Sequence, residues 1–181
     1  MKKIVLLFVA AAFLAACNNE KKSDAGTGEA TPVNKPAADL PYKAAYSSSF
    51  EMGSHPEYVV SILQGSWKDW ENNTLDNMKN WVADTIVAFH SDNKMIKGAD
   101  SLMADWKRAR ARYTSVIDTI DAVMPVYSID KKENWVLVWA TEINTNAKGK
   151  KDTTSLMETW RINKDGKANM LLQYNRANRK P

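Results

Sequence analysis

The sequence predicts an α+β domain from three observations: a helical apolar period after residue 54, alternation over residues 83–90, and a succession of alternating segments and turns from residue 114 to 175. Ser54-His55-Pro56-Glu57 has the form of a capping box with proline in the first turn, which places a helix start there. Val59, Ile62, Leu63, Ser66, Trp67 and Trp70 follow at three- and four-residue spacing, giving one apolar face through Glu71. Asn73 with Asp76 suits the cap of a second, short helix carrying Leu75, Met78 and Trp81. Ala83, Thr85, Val87 and Phe89 alternate with Asp84, Ile86, Ala88 and His90, so a first strand ends near His90, before the turn Ser91-Asp92-Asn93. Gly98 opens a further helix with Leu102, Met103, Trp106, Ala109, Arg110 and Tyr113 on one side.

The rest reads as strands. Residues 114–129 alternate for long enough to demand a bend or bulge, and Pro125 confines the far end to an edge or an irregularity. Trp135, Leu137, Trp139, Thr141 and Ile143 share one face of the next strand, and Val136, Val138, Ala140 and Glu142 the other. Both faces being largely apolar, it is expected to be central and covered on both sides. After a hairpin loop containing Gly149, Leu156, Glu158, Trp160 and Ile162 line one face of a strand. Asn163-Lys164-Asp165-Gly166-Lys167 is a turn, since Asp-Gly readily supplies positive φ, and residues 168–175 form the last strand.

Ahead of this domain, Met1-Lys2-Lys3 is followed by an uncharged apolar run that ends in small residues before the single cysteine, Cys17. That is signal-peptide anatomy, and the run is too short to cross a bilayer core of roughly 30 Å. Leu14-Ala15-Ala16-Cys17 resembles the lipobox of bacterial lipoproteins, which implies cleavage after residue 16 and a diacylglycerol on Cys17. Two acyl chains suffice for stable anchoring to a membrane. Asn18 in place of aspartate implies, by the same resemblance, sorting to the outer membrane of a bacterial envelope. Residues 17–53, rich in Lys, Ser, Ala, Gly, Thr and Pro without a sustained apolar period, read as a disordered tether, with Tyr42, Tyr46 and Phe50 available to dock back. Residues 54–181 form one folded domain, which must do without an internal disulfide.

The formal net charge of +4 drops by two when Lys2 and Lys3 are removed, far from the balance of a nucleic-acid-binding domain. Lys107, Arg108, Arg110 and Arg112 read as a solvated helix face. Two histidines and an acylated cysteine offer no His/Cys zinc pattern, and no phosphate loop, nucleophile elbow or dinucleotide fingerprint is present, so neither metal nor cofactor is expected.

The order helix, short helix, strand, short strand, helix, long strands resembles the nuclear transport factor 2-like superfamily, which includes ketosteroid isomerase and the polyketide cyclases. The resemblance rests on Asn73-Thr74-Leu75-Asp76 leading into Trp81-Val82-Ala83-Asp84, on the Lys97-Gly98 helix start, and on Glu158-Thr159-Trp160-Arg161-Ile162 before Asp165-Gly166-Lys167. It implies a cone: a curved, mostly antiparallel sheet wrapped around about three N-terminal helices. It also places His90 where the isomerases carry an aspartate base and Glu158 where they carry the protonated acid of an oxyanion hole. The tyrosine expected on the first helix falls near Gly65 and Ser66, so that constellation is incomplete.

Two functional readings follow. The first is a non-enzymatic module whose pocket takes a small, largely apolar molecule or a partner segment, with Trp67, Trp106, Glu158, Trp160 and Tyr174 as contacts. The second is an isomerase, cyclase or dehydratase in which His90 abstracts a proton and Glu158 acts as acid or oxyanion donor. The tryptophans serve mainly as core, His90 and Glu158 each have an ordinary structural reading, and association of two copies through the sheet is a further expectation.

Overall fold

The computed structural model describes residues 41–177; the signal segment, Cys17 and the tether up to residue 40 lie outside the described residues. Seven strands, β1 (Phe50–Met52), β2 (Val82–Phe89), β3 (Met95–Lys97), β4 (Tyr113–Ser128), β5 (Glu133–Asn146), β6 (Lys151–Ile162) and β7 (Ala168–Ala177), make one curved sheet in the order β1-β4-β5-β6-β7-β2-β3. Every neighbouring pair is antiparallel except β2 with β7. The sheet begins inside the segment read as tether, because Phe50, Glu51 and Met52 pair with Ser128, Tyr127 and Val126 of β4. Tyr46 adds to this attachment by donating to Glu133 Oε2 at 2.6 Å and meeting the Trp135 ring edge-on at 6.3 Å.

Helix α1 (Pro56–Ile62) continues through a π-helical turn (Leu63–Lys68) into α2 (Asp69–Asn72); a 3₁₀ turn (Leu75–Asn77) leads into α3 (Met78–Trp81), and α4 (Ala99–Arg110) follows β3. The capping residues differ from the expected ones. Proline occupies the first turn of α1, but the N-cap is His55, whose ring bonds Glu57 at 2.7 Å, and no side-chain capping bond forms. Asn73 takes left-handed backbone as the C-cap of α2, and the turn after it is held by buried Asp69, whose Oδ1 accepts from Thr74 Oγ1 at 2.8 Å and Asn77 Nδ2 at 3.1 Å. Arg110 also departs from the solvated reading. It is 7% exposed and donates to the carbonyls of Trp70, Glu71 and Tyr113 at 2.7, 3.0 and 2.9 Å, tying the open end of α2 to the start of β4.

The long β4 strand shows the expected irregularities, with register shifts between Tyr113 and Ser115 and between Ile120 and Ala122. The expectation that β5 is covered on both sides is corrected. Val136, Val138 and Ala140 are fully buried against the helices, but on the outer face only Trp135 is buried, beneath Tyr46, while Leu137, Trp139 and Ile143 are half-exposed. Apart from Tyr46 and Arg161 over Trp135, the outer face leaves its apolar side chains partly open to solvent.

The core is a chain of indoles. Trp160, with no exposed surface, meets Trp81 at 5.4 Å and Trp106 at 6.2 Å, and Trp106 meets Trp70 at 6.0 Å, all edge-to-face. Gly65 makes room for this chain from the π-helical turn. A Cβ built there would lie 2.3 Å from the Trp81 ring, far inside any tolerated contact, and the buried indole has no space to retreat. Gly65→Ala is therefore expected to destabilise the domain by about 1–3 kcal/mol, the usual cost of overpacking. Chemical denaturation checks this, and an unchanged midpoint would mean that the Trp81 contact is not rigid.

Candidate functional site

The inner face of the sheet and the helices border a cavity of about 630 Å³, open to solvent on one side and within the ordinary range for small-molecule sites. Its apolar walls are Trp67, Trp70 and Trp106 from the helices and Leu156 from β6, while most of the remaining lining is polar or charged and includes Asp105, Asp152 and two of the residues read as a solvated helix face, Arg108 and Arg112. Strand alternation then decides which polar side chains enter. Glu158 follows Leu156 at an interval of two on β6, Gln173 pairs with Glu158 across β7, and Glu142 follows Ala140 on β5. His90 closes the group from the end of β2, where it leaves the sheet for the turn at Ser91.

Glu158 is 4% exposed and accepts three hydrogen bonds: from Ser66 Oγ (3.2 Å) and Trp160 Nε1 (2.9 Å) at Oε2, and from Gln173 Nε2 (3.0 Å) at Oε1. Burial pushes its carboxyl up to about 7 against the pull of these donors, so near neutral pH it exists in both forms. A carboxylate offers about four acceptor positions, which leaves one on Oε1 for a proton or for a donor in the cavity. On the other side of Gln173, His90 Nδ1 lies 3.2 Å from Oε1 of the same amide. His90, Gln173 and Glu158 are thus one hydrogen-bonded line.

A second acidic group lies on another row of the same inner face. Asp118 of β4 stands directly opposite Glu142 of β5. Glu142 accepts from Trp70 Nε1 at 2.7 Å and from Asn144 Nδ2, whereas neither oxygen of Asp118 has solvent contact or a donor among the described residues. Burial, then the neighbouring Glu142, pushes Asp118 up to about 8, and burial raises Glu142 as well. The pair is satisfied when one member carries a proton that the other accepts.

The residues expected from sequence divide in three. Trp67, Trp106, Glu158 and His90 line the cavity. Trp160 lies behind the wall, acting on the cavity through its bond to Glu158. Tyr174 alternates with Gln173 and Asn175, so it projects from the opposite face and is 59% exposed; it is no cavity contact. Sequence reasoning missed Ser66 as a donor, Gln173 as the bridge, and the pair formed by Asp118 and Glu142. For Gln173 the available signal was its place on the Leu171 face of an alternating strand. For Glu142 it was the company of Val136, Val138 and Ala140.

Solved structures similar to the domain share this geometry of sheet and helices. An epoxide hydrolase from M. tuberculosis, described as LEH-like, superposes with a TM-score of 0.54 at 14% identity, over 67% of this chain and 84% of that one. A protein of unknown function from Exiguobacterium, described as nuclear transport factor 2-like, gives 0.54 at 13% identity over 66% and 98%. The domain has the nuclear transport factor 2-like fold. A third structure with this fold, an M. tuberculosis protein in complex with estradiol-17β-hemisuccinate, gives 0.53 at 16% identity over 65% and 92%. No curated protein matches the chain in sequence. Residues 1–18 match the prokaryotic membrane lipoprotein lipid attachment site, which supports a lipid-anchored protein of the cell envelope.

The acid pair on the nuclear transport factor 2-like sheet has a thermodynamic consequence. The folded chain retains a proton on Asp118 up to about pH 8, whereas the unfolded chain releases it near 3.8. Between those values the folded state binds more protons, so this group makes stability fall as pH rises and recover as pH falls. Asp118→Asn should accordingly raise the melting temperature at about pH 8 more than at about pH 5. Scanning calorimetry at both pH values tests it; an equal shift at the two would show that Asp118 titrates as an ordinary carboxyl.

Proposed function

We propose that the chain is an outer-membrane lipoprotein, held by lipid on Cys17, whose domain binds a small molecule in the inner-face cavity. The observation that carries this reading is the cavity itself: tryptophan and leucine walls converge on a buried carboxyl with one acceptor position left open. A flat apolar body suits the tryptophan and leucine walls, a hydroxyl or amine at one end suits Oε1 of Glu158, and further polar groups suit the rest of the lining, which is mostly polar. The steroid conjugate held by one protein of the same fold is a molecule of that general kind. Binding needs no further group, because Ser66, Trp160 and Gln173 already fix the carboxyl. The outer sheet face, with Trp139 and Leu137 half-exposed, is where the expected association of two copies would occur.

A second reading, proton abstraction as in an isomerase, cyclase or dehydratase, is favoured by one observation. His90 and Glu158 line the same cavity and are joined through Gln173, so a base and an acid face a common space.

Native mass spectrometry of the full chain in detergent micelles identifies what co-purifies, and tryptophan fluorescence titration measures its affinity. A ligand that donates to Glu158 should bind more tightly as pH rises through about 7, where the carboxylate forms. Glu158→Gln should weaken it by roughly 10- to 100-fold above that pH and flatten the profile, the loss of a hydrogen bond to a charged group. Binding identical in both proteins at every pH would remove Glu158 from the contact. His90→Ala should leave affinity nearly intact, and only under the second reading should it abolish conversion of the bound molecule.

A further inference from the structure

Gln173 lies between two titratable groups, and its amide has two ends of opposite hydrogen-bonding character. Strand register brings them together: Glu158 and Gln173 are direct partners across β6 and β7, and the parallel pairing of Phe89 with Leu172 puts His90 beside Gln173. In the arrangement observed, Nε2 of Gln173 donates to Glu158 Oε1 at 3.0 Å, and Oε1 of Gln173 lies 3.2 Å from His90 Nδ1. An amide oxygen accepts only, so in neutral His90 the proton must be on Nδ1 and the lone pair on Nε2.

Trp160 settles where a proton can enter Glu158. Its indole N–H is donor only and points at Oε2, where Ser66 also donates. With Ser66 and Trp160 both donating to Oε2, its lone pairs are occupied, and the acid proton adds to Oε1, the oxygen that faces Gln173. A hydroxyl there would meet the N–H of the amide, donor against donor. Rotating the terminal amide by half a turn removes the conflict without moving the backbone. Glu158 then donates to Gln173 Oε1, and Gln173 Nε2 donates to His90 Nδ1, which must now be the lone-pair nitrogen. The ring loses its proton at Nδ1 and gains one at Nε2, a buried atom with no partner among the described residues and therefore free to be either lone pair or N–H, so the net change is the single proton gained by Glu158. Gln173 makes two bonds in either state and fewer in any mixed one.

We propose that Gln173 is a positioning residue whose side-chain amide, by turning over, couples the protonation of Glu158 to the tautomer of His90. The proposal builds on the reading of the cavity as a ligand site and names its regulation: the His90 Nε2 position is an acceptor in one state and a donor in the other. The charged neighbours fall into two sets. Glu142 acts on Glu158, where its like charge favours the protonated form, and Glu158 acts in the same way on Asp118. Asp105, which pairs with Lys94 and Arg108, is the carboxylate that interacts with His90. An imidazolium would donate from Nδ1 as in the first state, so the tautomer must be read where the ring is neutral, at about pH 8.5.

The test uses the full chain in detergent micelles with ¹⁵N-labelled histidine, read by long-range ¹H–¹⁵N correlations of the ring. With two histidines in the sequence, His90→Gln assigns the signals. The unsubstituted protein should show the Nδ1–H form of His90. Glu158→Gln places an NH₂ toward Gln173, because Trp160 and Ser66 hold the new carbonyl, and should shift His90 to the Nε2–H form. In Gln173→Leu the tautomer should no longer respond to the residue at 158. An Nε2–H ring in the unsubstituted protein, or the same tautomer with Glu and with Gln at 158, overturns the proposal. A second measurement needs no substitution: the Glu158 carboxyl ¹³C and the Gln173 side-chain ¹⁵N should titrate with one midpoint, and separate midpoints overturn it equally. No ligand enters either experiment, so a failure of the ligand-binding reading would appear as absent binding with the coupling intact.

Discussion

A carboxyl withdrawn from water at the end of an indole chain is the constraint on which the architecture turns. Burying Glu158 without partners would cost several kcal/mol, and the three donors that offset this come from three elements. Ser66 must be presented by the π-helical turn, Trp160 by the same strand as the carboxyl, and Gln173 by β7. Satisfying one side chain therefore fixes the first helical segment against the sheet and sets the β6–β7 register. A one-residue slip of β7 would send Gln173 to the outer face and bring Tyr174 or Leu172 inward, leaving Glu158 one donor short.

The same demand explains the irregular first helix. A regular α-helical path after Ile62 is interrupted by the π turn that carries Gly65 and Ser66. Such turns commonly occur where function reshapes a helix. Here it places a residue without a side chain against Trp81 and, next to it, a hydroxyl on Glu158. Stability and site are thereby coupled, since Trp81 packs on Trp160 and Trp160 bonds Glu158. In a chain whose one cysteine falls within the lipoprotein attachment match, no disulfide shares this burden.

Much of the fold was legible because its periods are unambiguous. The alternation over 83–90, the break at Asp165-Gly166 and the long β4 with its bulges appear where the pattern of apolar residues put them. Capping was less legible. Ser54 and Asn73 have the right chemistry for caps, but the N-cap of α1 is His55, which makes no side-chain capping bond, and Asp69 holds the turn after Asn73, because local signals of about 1 kcal/mol yield to tertiary packing. The outer face of β5 misled for a different reason: an apolar face indicates that a strand lies within a sheet, not that anything covers it. In the site, Glu158 stood out as a charge on an apolar face. Gln173 did not, since a neutral amide becomes informative only once its two neighbours are known, and those neighbours are distant in sequence.

The acids of the inner face form two levels, and this gives the cavity a charge that depends on pH. Asp118, Glu142 and Thr154 occupy one row across β4, β5 and β6, while Val138, Glu158 and Gln173 occupy another across β5, β6 and β7. Both acidic groups are raised mainly by burial, and each raises the other through the low-dielectric space between them. A proton held at the Asp118 row therefore lowers the cost of ionising Glu158. A cationic or hydrogen-bond-donating occupant does the same from within, whereas an anionic one drives proton uptake. The tryptophan walls set the shape that can enter, and Glu142 and Glu158, together with the Lys94, Asp105, Arg108 and Arg112 side chains that also line the cavity, set its polarity.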